Sequence, residues 1–74
     1  MSSRLPVVSG EQLVRALERE GWQQLRQRGS HVRLKHPDRA NALTVPVHRE
    51  VRRGTLGGIL TDAGLSPDDL RRLL

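Results

Sequence analysis

Cysteine is absent from this 74-residue chain. No disulfide framework and no thiolate metal site can help it fold. A hydrophobic core must supply the stability of what is, at this length, one small domain over residues 1–74. Phenylalanine and tyrosine are absent as well, and Trp22 is the one large aromatic. That excludes the stacking platforms on which RNA-recognition-motif and OB-type surfaces hold single-stranded bases. No apolar run is long enough to cross a membrane, and the N-terminus lacks a signal-peptide core. The expectation is a cytoplasmic protein with no membrane partner. Lysine is nearly missing too, with Lys35 alone.

Arginine fills that gap. The formal net charge is +5, and the positive residues are spread through patterned segments instead of a basic tail. Guanidinium groups suit bidentate recognition of phosphates and carboxylates. The partner implied is a nucleic acid or an acidic protein.

The charge has a definite place. Gly29-Ser30 separates two runs of alternating polar and apolar residues, which reads as a two-residue hairpin loop with Gly29 supplying the positive φ of a type II′ turn. Such a loop fixes the register. Arg28 faces His31, Gln27 faces Val32, Arg26 faces Arg33, Leu25 faces Leu34 and Gln24 faces Lys35. Side chains alternate between faces along a strand. Leu25, Val32 and Leu34 therefore share a core face, and Arg26, Arg28, His31, Arg33 and Lys35 form a basic wall on the other. Arg26 opposite Arg33 is a like-charge pair that costs stability. A polyanion or acidic partner accounts for the wall better than solvation does.

The rest of the chain supplies a scaffold. Residues 1–8 read as a short, poorly ordered lead. Ser9 and Gln12 resemble a capping box opening a helix from about Gly10 to Glu20, with Leu13, Ala16, Leu17 and Glu20 on one stripe, Val14 beside it and Gly21 ending it. Trp22 reads as a core plug. A loop from Pro37 leads to a third strand, Leu43–Val47, with Leu43, Val45 and Val47 inward and Pro46 marking an edge. Matching core faces sets Val32 opposite Val47 or Val45, hence His31 opposite His48 or Pro46. Both registers bring His48 close to His31 on one face. A second helix begins near Gly54, carrying Leu56, Ile59, Leu60 and Ala63 inward and ending at Gly64. Gly57 and Gly58 inside it point to close packing against the sheet. Ser66-Pro67-Asp68-Asp69 starts a short C-terminal helix. The fold class is α+β: a dsRBD-like α-β-β-β-α arrangement, a three-stranded antiparallel sheet with its helices on one face.

A metal site is a poor use for the histidines. His31 and His36 are five residues apart on one strand and point to opposite faces, and no acid lies on the His31 face of the hairpin. No cofactor is implied.

The chain resembles the HicA toxins, small mRNA interferases of bacterial toxin–antitoxin pairs. The resemblance rests on Gly21-Trp22, Arg28-Gly29-Ser30-His31, His36-Pro37-Asp38, Thr44-Val45-Pro46-Val47-His48, Arg53-Gly54-Thr55-Leu56, Ile59-Leu60 and Ala63-Gly64-Leu65-Ser66, in the family's order. It departs at Arg52-Arg53-Gly54-Thr55, where the family often reads Lys-Pro-Gly-Thr. The resemblance implies an endoribonuclease with His31 catalytic and a HicB-type antitoxin covering that site. Histidine titrates near neutrality and can act as general acid or base. Arg26, Arg28, Gly29, Ser30, Arg33, Lys35 and His48 are the expected contacts to mRNA phosphates, with Arg28 and Arg33 at the scissile group. The rival classes are a non-catalytic dsRBD-like RNA binder and a module for an acidic protein.

Overall fold

Ser9 sets the start of the first helix. In the computed structural model, which describes residues 4–74, its side chain accepts from the Gln12 amide at 3.1 Å while Gln12 Oε1 accepts from the Ser9 amide at 2.9 Å. Both ends of a capping box are thus closed. Helix α1 runs Gly10–Arg19, with Glu20 as C-cap and Gly21 beyond it at φ 104°. Leu13, Val14, Ala16 and Leu17 are buried as their spacing requires, while Glu20 of the same stripe lies at the helix end and is exposed.

Three strands follow: β1 Gln23–Arg28, β2 His31–Lys35 and β3 Ala42–Pro46. They form one antiparallel sheet in the order β1-β2-β3. Helix α2 spans Arg53–Ala63 and ends at Gly64, and α3 spans Pro67–Leu73 behind its own capping box from Ser66 and Asp69. The order is α-β-β-β-α-α, the expected α+β arrangement with its short last helix. Trp22, Val32, Leu34, Leu43 and Val45 are buried with the apolar stripes of α1 and α2, and Leu70 of α3 completes the core. Arg33 and Thr44, which alternate with these core residues, are exposed on the opposite face.

The hairpin register holds from the turn to Arg26↔Arg33 and then breaks. A bulge between Gln24 and Arg26 sets Gln24 against Leu34 and Gln23 against Lys35, so the expected pairs Leu25–Leu34 and Gln24–Lys35 do not form. Leu25 is not a core residue; it is 59% exposed. A bulge carries one unpaired residue and resets the alternation beyond it. Gln24 and Gln27 line a groove beside α1 instead, where Gln24 Nε2 donates to Glu18 at 3.3 Å.

Other expectations also need correction. Met1, Ser2 and Ser3 of the lead lie outside the described residues. Val8 of the same segment is 2% exposed, and its carbonyl accepts from the Val51 amide at 2.9 Å. The glycines of α2 are not tightly packed: a Cβ on Gly57 would meet only Leu5 at 3.8 Å, and one on Gly58 nothing within 4 Å. The loop after β2 is anchored through Arg39 and Asn41, which both donate to the Asp62 carbonyl at 3.0 Å. Arg19 likewise donates to the Leu73 carbonyl at 2.6 Å, tying α1 to the end of α3.

Candidate active site

The turn that begins the site is held by one residue. Gly29 takes φ 54°, and no non-glycine among the described residues has positive φ. That pattern is the one a type II′ loop needs, with glycine first and serine second. A Cβ there would meet nothing within 4 Å, so conformation and not space reserves the position. Gln27 supports the turn by donating to the Gly29 carbonyl at 3.0 Å.

Parity then sets out the wall. Arg28 pairs with His31 and Arg26 with Arg33, all on the face away from the helices. Arg26, Arg28, Arg33 and Thr44 line a shallow depression of about 150 Å³ that His31 also borders. Arg33 leans across to Thr44, with Nη1 3.4 Å from its hydroxyl. Arg26 and Arg28 make no ion pair or side-chain hydrogen bond among the described residues. Lys35 is placed differently. Its ammonium is bound to the Arg39 carbonyl at the far end of the strand and does not line this depression.

The two registers open to β3 resolve to Val32↔Val45 and His31↔Pro46. The Val47 amide donates to the Ser30 carbonyl at 2.6 Å, which ties the end of β3 to the hairpin turn. His48 follows directly and lies beside His31, as parity required. The two ring centroids are 6.4 Å apart at an interplanar angle of 69°. Both histidines border a second, larger depression of about 410 Å³, closed by Pro46, Glu50, Arg52 and Thr55.

The hairpin reading missed Thr44, Glu50, Arg52 and Thr55. Thr44 was within reach, because alternation on β3 puts it outward. Glu50 and Arg52 come from the irregular segment before α2, and no local pattern announces where that segment lies. The wall has no acid on its strands, yet Glu50 brings a carboxylate to the depression that His48 shares.

His36 stands apart from this face. Its Nδ1 accepts from the Asp38 amide at 3.0 Å, which leaves Nε2 as the protonated atom donating to the Glu20 carbonyl at 3.1 Å. Its ring packs edge-on to Trp22 at 5.3 Å. It closes the end of the strand. Among the described residues no group of three or more histidine, aspartate or glutamate side chains is placed to share a metal ion.

Residues 10–65 match the family model described as HicA toxin of bacterial toxin–antitoxin systems. The chain belongs to the HicA toxin family. Comparison with curated proteins gave no match. The HicA match runs from the first residue of α1 past the end of α2, and so takes in the hairpin turn, His31, His48 and the segment that carries Glu50. Helix α3 lies beyond it. As a HicA toxin the chain is one half of a toxin–antitoxin system, and its implied partner is an antitoxin. No helix among the described residues is long and apolar enough to cross a membrane.

Proposed function

We propose that this toxin is a metal-independent endoribonuclease that cleaves mRNA, with His31 as general acid/base. One observation carries the reading. His31 stands exposed at the mouth of an arginine-lined depression, beside a fixed turn, with no hydrogen-bond partner of its own among the described residues.

RNA chain cleavage by its own 2′-hydroxyl needs three things. A base takes the 2′ proton as that oxygen bonds to phosphorus. An acid gives a proton to the 5′ oxygen as the P–O5′ bond breaks. Cations meet the charge that builds on the phosphorane. His31 supplies a proton-transfer group, and Arg28 and Arg33 beside it supply the charge. Arg26, Gly29 and Ser30 hold neighbouring phosphates. A HicB-type antitoxin covering the wall then silences the site by occlusion.

Induced expression of wild type and His31→Ala tests the reading. Wild type arrests growth and degrades mRNA; His31→Ala does neither and keeps its melting temperature, because the side chain is exposed. Purified wild type cleaves RNA in EDTA. A folded His31→Ala protein that cleaves fully, or a wild type that needs added divalent metal, would falsify the proposal. A wild type that binds RNA tightly and never cleaves it is the non-catalytic binder.

A further inference from the structure

His48 lies outside the hairpin, yet the fold delivers it to His31 by a defined route. Three contacts do this. The Val47 amide is held by the Ser30 carbonyl, the His48 carbonyl accepts from the Gly10 amide at 2.8 Å, and His31 pairs with Pro46 across the sheet. The result is two exposed imidazoles with centroids 6.4 Å apart, bordering one depression. Neither ring has a hydrogen-bond partner among the described residues. A ring nitrogen serves an oxygen at roughly 2.6–3.2 Å. Both rings therefore reach oxygens of a single phosphodiester lying over that depression.

A plain phosphate contact explains His48 poorly. The cations that attract a polyanion, Arg26, Arg28 and Arg33, line the other depression, which shares His31 and Thr44 with this one. His48 shares its depression with Glu50 and Arg52, whose charges offset each other. A proton-transfer role fits such a place better than a docking role.

We infer that His48 is a second catalytic residue, the acid–base complement of His31 in cleavage of the RNA phosphodiester. This rests on the endoribonuclease reading. One ring, neutral, takes the 2′-hydroxyl proton as the 2′ oxygen attacks phosphorus. The other, entering protonated, gives its proton to the departing 5′ oxygen. The products are a 2′,3′-cyclic phosphate and a 5′-hydroxyl, with one proton passed on balance from ring to ring and no other reactant consumed.

The test uses the full chain and a short RNA with one cleavable linkage, at saturating protein. His48→Ala and His48→Gln each slow bond breaking by about 10²- to 10⁴-fold, while affinity, compared in a His31→Ala background, moves by less than about threefold. Melting temperatures confirm folding, and His48→Gln keeps polarity and size without near-neutral proton transfer. A substrate with a 5′-bridging sulfur, whose leaving group needs no proton, restores the rate of one single variant, His31→Ala or His48→Ala, and not of the other. Wild-type rates in both His48 variants, a loss confined to affinity, or rescue of both or neither variant overturns the inference. Each leaves the His31 reading standing. Full cleavage by His31→Ala overturns that reading itself.

Discussion

Gly10 lies so close to Pro46 that a Cβ on it would fall 2.1 Å from the Pro46 carbonyl oxygen and 2.5 Å from Cα of Val47. The same glycine donates its amide to His48 at 2.8 Å. The first residue of α1 thus fixes the backbone that carries one imidazole of the site. The atoms in the way are backbone and cannot swing aside. Gly10→Ala is expected to destabilise the fold by about 3 kcal/mol, the upper part of the overpacking range. It also displaces His48 from His31. Chemical denaturation measures the first effect, and imidazole chemical shifts measure the second. An unchanged denaturation midpoint would show that the start of α1 moves freely.

The glycines inside α2 behave in the opposite way. Gly58 has open space where a Cβ would go, and Gly57 has an ordinary contact with Leu5. Neither has positive φ. Alanine at either position improves helix propensity by about 1 kcal/mol and costs no contact. Gly57→Ala and Gly58→Ala should each raise the melting temperature, by roughly 4–8 °C for a domain this small. A lower melting temperature for Gly58→Ala would mean that its space is filled in solution.

The hairpin tip was legible because a two-residue loop leaves no freedom of register. Arg28–His31 and Arg26–Arg33 follow from the loop alone, and with them the wall. Leu25 was not legible, since alternation counts one residue per step and a bulge breaks the count. Its neighbours Gln24 and Gln27 take the helix side, beside Glu18 and Arg15 of α1. Parity narrowed β3 to two registers. The Val47–Ser30 hydrogen bond and the Val32–Val45 pair belong to the one adopted. Val8 and Val51 are core residues from irregular segments, joined to each other by a backbone hydrogen bond that no periodicity reports. Glu50, Arg52 and Thr55 escaped for the same reason: the path from β3 to α2 is set by tertiary packing. The charge pattern located the wall, and only the fold located the depression beside it.

Asp69 gives the chain an acid-sensitive helix. Its carboxyl is held below the ordinary value of 3.8, first by the Ser66 amide, then by the Ser66 hydroxyl, with Arg72 adding to the effect. A depressed folded-state value means that the ionised form favours folding. The contribution is complete above the unfolded value, and so at neutral pH. It fades as pH falls below 3.8 and through the lowered folded value. Asp69→Ala should therefore destabilise α3 at neutral pH and differ less and less from wild type in acid. Amide exchange at Leu70 and Leu73 against pH reads this directly. A gap between the two proteins that widens in acid would reverse the assigned sign.

Arg26 and Arg33 are direct cross-strand partners lining one depression, which separates the wall's cost from its use. Like charges directly opposite each other weaken a sheet. Arg26→Glu converts the pair to one of opposite charge and should stabilise the hairpin by roughly 0.2–1 kcal/mol. If the wall binds RNA through phosphates, the same change lowers RNA affinity and reduces its salt dependence, because fewer counterions are released on binding. A more stable and less active protein would mark the repulsion as retained for binding. The double change Arg26→Glu with Arg33→Glu restores a like-charge pair of opposite sign, so stability returns toward that of wild type while the wall turns acidic. An antitoxin that docks by charge on this wall then loses affinity together with RNA, and association slows most, since steering acts on the encounter. The informative measurement is the pair of affinities on one protein, made with His31→Ala in the background so that RNA stays intact. If RNA binding falls and antitoxin affinity holds at the wild-type value, the antitoxin seats elsewhere and must silence His31 without covering the wall.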